Sequence, residues 1–199
     1  MKRAWFDELA GRWDTLPGQP ETAARVGTFL REVVGTGCRR VVDAGAGTGV
    51  LVPALLELPR PPELIVELDF AHAMLRENRR KHAGRAAVQW VCGDLCAPPL
   101  RESAFDAVLC FSALPHVEDK RLALGRLLAL LRPGGRLGVG HLMSSEALNA
   151  MHASIGGAVA EDRLPSAREL AALCASLGAR IVKAEETEAS YTVVAERLA

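Results

Sequence analysis

The 199-residue chain has no excess of charge of either sign: 24 Lys and Arg stand against 24 Asp and Glu. A domain built to grip a nucleic-acid backbone clusters Lys and Arg and is usually basic, so no nucleic-acid partner is expected. Long apolar runs are missing too. Clean runs such as Leu127–Leu131 fall far short of the roughly 20 residues a spanning helix needs, which argues against a membrane span. There is no CxxC pair. The five cysteines, Cys38, Cys92, Cys96, Cys110 and Cys174, are odd in number and irregular in spacing, which leaves no zinc-site pattern. They are expected to be mostly reduced core residues. Met1–Glu8 turns acidic too early for a secretory signal, so a cytoplasmic location is expected. Internal repeats and low-complexity tracts are also absent. What remains, 49% apolar and 24% charged residues, is the balance of an ordinary globular domain.

Between residues 39 and 141, short apolar runs alternate with helical patterns. Strands are expected at 39–44, 63–68, 86–91, 104–111 and 136–141, with helices at 48–58 and 71–83. Leu124, Leu127, Leu128 and Leu131 recur at helical spacing on one face, and Arg132-Pro133-Gly134-Gly135 reads as the turn that ends that helix. Repeated strand–helix units give an α/β fold, a parallel sheet covered on both faces. Upstream, a short helix at 5–13, a loop at 16–20 and an amphipathic helix at 21–34 are expected. Downstream, Ser166 and Glu169 have capping-box spacing, and 181–185 with 191–196 reads as an antiparallel hairpin at the sheet edge. We read 1–199 as one domain, with 1–35 as N-terminal lid helices, 36–141 as a cofactor-binding core, and 142–199 as acceptor-side helices plus the hairpin.

The sharpest feature is Val41-Val42-Asp43-Ala44-Gly45-Ala46-Gly47-Thr48-Gly49. A buried strand runs into alternating glycines, which permit a tight turn and close approach of a ligand to the backbone. The spacing is G-x-G-x-G. A dinucleotide fold prefers G-x-G-x-x-G, whose last glycine falls here at Val50, and the Lys-Ser/Thr ending of a phosphate loop is missing. A ligand without pyrophosphate is expected. At the end of the second strand, Glu67 and Asp69 are both acidic candidates for ribose hydroxyls. Asp69 is the better placed, since it leads directly into the next helix. Asp94 follows the third strand in Gly93-Asp94-Leu95.

Five segments in order carry a resemblance: the glycine loop, Asp69-Phe70-Ala71-His72-Ala73-Met74, Gly93-Asp94-Leu95, Phe105-Asp106-Ala107-Val108 and Leu131-Arg132-Pro133-Gly134-Gly135-Arg136. They resemble the class I S-adenosylmethionine-dependent methyltransferases, and within them the small ubiquinone/menaquinone-biosynthesis-like group. The resemblance implies a Rossmann-like seven-stranded sheet in the order 3-2-1-4-5-7-6, with strand 7 antiparallel and helices on both faces. It implies S-adenosylmethionine as cofactor and S-adenosylhomocysteine as product. Gly45, Ala46, Gly47, Thr48 and Gly49 would then pass under the methionine part, with Asp43 orienting the loop or reaching the amino group. Asp69 would hold the ribose, Phe70 and Met74 flank the adenine, Asp94 accept from its amine, and Leu95 pack on the ring. Phe111 and Ser112 would line the cofactor after strand four.

The acceptor crevice is expected beyond strands four and five. Three histidines lie there in sequence: His116 after strand four, His141 ending strand five, and His152 on the next helix, on a face with Leu148, Met151 and Ile155. Each is a candidate for moving a proton near neutral pH. A metal at His141, His152 and a carboxylate has no ligand motif behind it, and none is expected. The polar stretch from His141 to His152, continuing to Asp162, is where acceptor specificity would be built. The N-terminal Trp5, Phe6 and Trp13 would close over the cofactor. The expected function is methyl transfer to a small-molecule acceptor. The rival readings are methylation of a protein or a partner-bound cofactor, a non-catalytic cofactor-binding subunit, and, remotely, an NAD-dependent oxidoreductase.

Overall fold

The computed structural model describes residues 2–17 and 19–198. Seven strands form one sheet in the order β3-β2-β1-β4-β5-β7-β6. They are β1 (Arg40–Ala44), β2 (Leu64–Asp69), β3 (Val88–Cys92), β4 (Phe105–Phe111), β5 (Leu131–His141), β6 (Ala179–Thr187) and β7 (Ser190–Arg197). The first five run parallel, and β7 lies antiparallel between β5 and β6. The expected order and reversed strand are both found.

The central strands are buried on both faces, which is why they read as continuous apolar runs rather than alternating ones. Val41, Ile65 and Leu109 point to the face covered by Leu30 and Val33 of α2 (Gln19–Val33) and by Leu55 of α3 (Val52–Leu56). Val42, Leu68 and Val108 point to the opposite face. Leu124 and Leu127 of α5 (Lys120–Leu130) cover it, with Leu170 and Cys174 of α7 (Ala167–Ser176). Ser166 and Glu169 form the expected capping box at the start of α7.

Four local expectations change. The helix after the glycine loop is five residues long, Val52–Leu56, because 48–51 form turns. Arg132–Gly135 is not a turn between helix and strand but a bulge inside β5. Phe105 pairs Leu131 and Ala107 pairs Arg136, so four residues are looped out, with Gly134 at φ 78°. Leu131 therefore belongs to β5 rather than to the helix. The loop expected at 16–20 is shorter, since α2 begins at Gln19, and Gly18 lies outside the described residues. Finally, on α6 (Ser145–Ile155) the buried stripe is Ser145, Leu148 and His152, while Met151 and Ile155 face outward.

The N-terminal segment lies across the carboxyl ends of the strands. It consists of α1 (Lys2–Leu9) and a 3-10 turn at Ala10–Thr15. Phe6 and Ala10 pack on Ala71 and Met74 at the start of α4 (His72–His82). Among the described residues, no helix is long and apolar enough to cross a membrane.

Candidate functional site

Strand order reverses between β1 and β4, and the crevice beyond their carboxyl ends is where open α/β sheets place ligands. A cavity of about 530 Å³ opens there, within the size range of small-molecule sites. Its floor is the glycine loop. Gly45, Gly47 and Gly49 adopt φ of 81°, 52° and 86°, the left-handed region that glycine enters without strain. Gly45 and Ala46 donate their N–H groups to the Leu68 carbonyl at 2.8 and 3.1 Å, tying the loop to the end of β2.

Asp69 is the hinge pin of this floor. One carboxylate oxygen accepts from the Gly47 N–H at 2.8 Å and the other from the Ala71 N–H at 2.7 Å. Burial raises its pKa, and the two backbone donors pull it part of the way back. Each oxygen retains a lone pair for a further donor. Asp69, Phe70, Met74, Asp94, Leu95, Phe111, Ser112 and His116 all line the cavity, as do Gly45, Ala46, Gly47 and Thr48.

Four expected site residues do not line it. Gly49 sits below, and its carbonyl lies 3.1 Å from His82 Nε2. Asp43 lies behind the loop, fully buried, with Oδ2 unpartnered. Burial, Glu67 and Asp69 push its carboxyl well above the usual range. Its side chain makes no hydrogen bond to the loop among the described residues. His141 is buried at the end of β5, its Nε2 unpartnered and its ring edge-on to Tyr191 at 6.3 Å. Burial, with His116 and His152 nearby, drives it down to about 3. His152 is buried too, its Nδ1 3.3 Å from the Asp162 carbonyl. The structure does bring His116 and His152 together, with ring centroids 5.1 Å apart. No group of three or more His, Cys, Asp or Glu among the described residues is placed to hold a metal ion.

Several supports were not visible as site residues in the sequence. On α4, Asn78 Nδ2 donates to Glu67 at 2.7 Å and to the Gly47 carbonyl at 3.3 Å, while Trp90 Nε1 donates to Asn78 Oδ1 at 2.8 Å. The usable signal was two polar residues, Asn78 and His82, at i+4 spacing behind Met74 on a buried helix face. The N-terminal segment is latched at three points. Asp7 accepts from the Ala73 N–H at 2.8 Å, and Asp14 accepts from Thr48 Oγ1 at 2.5 Å and pairs with Lys81 at 2.7 Å. Lys2 donates to Asp162 at 2.5 Å. Lys2, Phe6 and Trp13 line the cavity. Of the cysteines, Cys110 and Cys174 are buried and Cys96 lines the cavity, but Cys92 is exposed rather than core.

Glu67 stands under the floor with Oε1 unpartnered. Burial lifts it to about 8 from an ordinary 4.5, the Asn78 hydrogen bond opposes that rise, and Asp69 adds to it. The folded protein thus keeps a proton that the unfolded chain releases. That contribution to stability is fully present below pH 4.5 and lost as pH rises through about 8. Glu67→Gln is expected to flatten this fall. Urea midpoints at pH 5 and pH 8.5 check it, and an unchanged slope in the variant would refute it.

Among the described residues, the charged lining comprises four carboxylates (Asp69, Asp94, Glu118 and Asp119) and one lysine, Lys2. That set of acceptors suits a ligand rich in hydroxyl and amine donors and bearing positive charge. It disfavours a pyrophosphate. A Cβ on Gly47 would meet nothing within 4 Å, so the loop backbone is open to a ligand laid against it. The residues present therefore fit S-adenosylmethionine, whose ribose diol, adenine amine and sulfonium match these acceptors.

Fold and site together define an adenosine-cofactor enzyme of the methyltransferase class. Residues 42–139 match the family model of a methyltransferase domain. The chain is 34% identical to a demethylmenaquinone methyltransferase of Clavibacter sepedonicus, over 67% of this chain and 55% of that protein. It is 36% identical to one of Thermus thermophilus, over 66% and 61%. The matched region thus spans little more than half the length of the curated relatives. Among solved structures, the protein bound to the Trm112 methyltransferase activator of Haloferax volcanii superposes with a TM-score of 0.83. It is 17% identical, with 100% of this chain and 98% of that one covered. A SAM-dependent methyltransferase of Aquifex aeolicus gives 0.74 at 16% identity over the whole of both chains. At such identities these two likenesses show the fold. The chain belongs to the class I S-adenosylmethionine-dependent methyltransferases, in the ubiquinone/menaquinone-like group, whose cofactor is S-adenosylmethionine.

Proposed function

We propose that this chain transfers the methyl group of S-adenosylmethionine to a small-molecule acceptor by in-line displacement, in the cytoplasm. One observation carries the reading: a cavity floored by the glycine loop, pinned by Asp69 and lined, among the described residues, by four carboxylates and one lysine. The bound cofactor supplies a methyl carbon already activated by its sulfonium. The chain's residues bind, orient and exclude water. Asp69 takes the ribose hydroxyls, Asp94 the adenine amine, and Phe70, Met74 and Leu95 the faces of the ring. Gly45 to Thr48 run beneath the methionine part, beside Phe111 and Ser112. Asp43 lies buried behind the loop and Gly49 below the cavity floor, against His82. Among the histidines, His116 lines the cavity and is the candidate for receiving a proton. His141 and His152 back the acceptor side as buried neighbours.

A second reading, methylation of a protein or of a cofactor carried by a partner, is favoured by the likeness to the activator-bound Haloferax protein over the whole of this chain. Calorimetry with S-adenosylhomocysteine and with NAD tests the cofactor. Micromolar binding of the first and none of the second is expected, and the reverse would overturn the reading. Adding a purified Trm112-type activator to the same titration separates the two acceptor readings. Tighter binding only in its presence would favour the partner.

A further inference from the structure

His116 closes a single 3-10 turn, Leu114–His116, directly after β4. It is gripped by two segments far away in the chain. Its Nδ1 lies 2.6 Å from Oδ2 of Asp162, in the loop between α6 and α7. The other Asp162 oxygen accepts from Lys2 Nζ, which also donates to the His116 carbonyl at 3.1 Å. The rings of Phe6 and His152 wedge the imidazole at 5.0 and 5.1 Å, so it has little freedom to turn. Asp162 itself is 5% exposed. Burial alone would raise its carboxyl, but the hydrogen bonds from His116 and Lys2 outweigh that and hold it below the usual carboxylate range.

An ionised carboxylate only accepts hydrogen bonds. A neutral imidazole facing one must therefore carry its proton on Nδ1 and leave the Nε2 lone pair free. Nε2 has no hydrogen-bond partner among the described residues, and the ring lines the cavity. Neither His141 nor His152 shares this arrangement, since both lie behind the cavity wall.

We infer that Asp162, pinned by Lys2, is a positioning residue that holds His116 with an unprotonated Nε2 facing the cavity, ready to take the proton of an acceptor whose attacking atom carries one. Such acceptors are hydroxyls, protic amines, thiols, or carbon acids beside a carbonyl. The inference rests on the methyl-transfer reading. In the step, the acceptor atom bonds to the methyl carbon as the carbon–sulfur bond breaks and its electron pair goes to sulfur. The acceptor's proton passes to His116 Nε2, the imidazolium is neutralised by Asp162, and the proton then leaves to solvent. Because Lys2 sits on the N-terminal helix, the base is fully oriented only when that helix lies over the site.

Ring 15N shifts of the cofactor-free protein, recorded by long-range proton–nitrogen NMR, test this. The His116 signals are assigned by their loss in His116→Gln. The wild-type ring is expected to show protonated Nδ1 and unprotonated Nε2, and Asp162→Ala to move it towards the Nε2-protonated form that an unconstrained histidine side chain prefers. A wild-type ring protonated on Nε2 overturns the inference without any variant having to fold. So does a tautomer that survives Asp162→Ala. Calorimetry on wild-type protein separates the two layers. Failure to bind S-adenosylhomocysteine defeats the methyl-transfer reading, whereas binding together with the wrong tautomer defeats only the role of Asp162.

Discussion

Asp69→Ala is expected to weaken S-adenosylhomocysteine binding by roughly 30- to 1,000-fold, the equivalent of about 2–4 kcal/mol. Two losses combine. On the proposed reading the carboxylate accepts from the ribose, and it fixes the glycine loop through the Gly47 N–H and the start of α4 through the Ala71 N–H. Charge-assisted bonds of this kind are roughly twice as strong as neutral ones. Asp69→Asn is no mild control. Its amide must turn an N–H towards one of the two backbone donors, so most of the loss should remain. Calorimetry reads both variants, with circular dichroism to confirm that the fold persists. Binding within about threefold of wild type in Asp69→Ala would remove Asp69 from the cofactor site.

Gly45→Ala is expected to destabilise the fold by about 3 kcal/mol or more, from left-handed backbone strain plus overpacking. Gly45 sits at φ 81°, and an added Cβ would fall 2.2 Å from the Ala113 Cβ. The loops that leave β1 and β4 would have to part to admit it. The double variant Gly45→Ala with Ala113→Gly removes the clash and keeps the strain, so it should recover about half the loss. Gly47→Ala is the informative contrast. Its Cβ meets no protein atom, so stability should fall by only about 1–2 kcal/mol, while the methyl intrudes where the cofactor lies. Urea unfolding of the three variants orders them, and a Gly45→Ala cost no larger than that of Gly47→Ala would refute this account of the close approach.

The sheet was legible because its central strands are buried on both faces. Val41–Ala44, Ile65–Leu68 and Ala107–Phe111 are short runs, apolar except for the buried Asp43 and Glu67, and each ends at a glycine, an acid or a turn. The cofactor half was legible because Gly45, Gly47, Gly49, Asp69 and Asp94 follow their strands at fixed offsets. Three kinds of feature were not. Bulges escape periodicity: Arg132-Pro133-Gly134-Gly135 has turn chemistry and is looped out of a continuing strand. Helix faces blur where small and apolar residues surround a polar one, which is why periodicity alone puts Met151 and Ile155 on a face with His152. Ties between distant residues leave no local trace. Lys2 with Asp162 spans 160 positions and Asp14 with Thr48 spans 34. The contact of His116 with Asp162 is another such tie, so the sequence offers both residues without pairing them.

The latched N-terminal segment has an optical consequence. Two of the chain's three tryptophans, Trp5 and Trp13, sit on it, and Trp13 lines the cavity. The third, Trp90, is fixed through its indole N–H to Asn78, one bond removed from the glycine loop. Every intrinsic fluorophore of this kind is therefore wired either to the cover of the cavity or to its floor. Emission wavelength and iodide quenching should report cover and floor without any label, with Trp90 reporting the floor and Trp13 the one expected to change as the cavity fills.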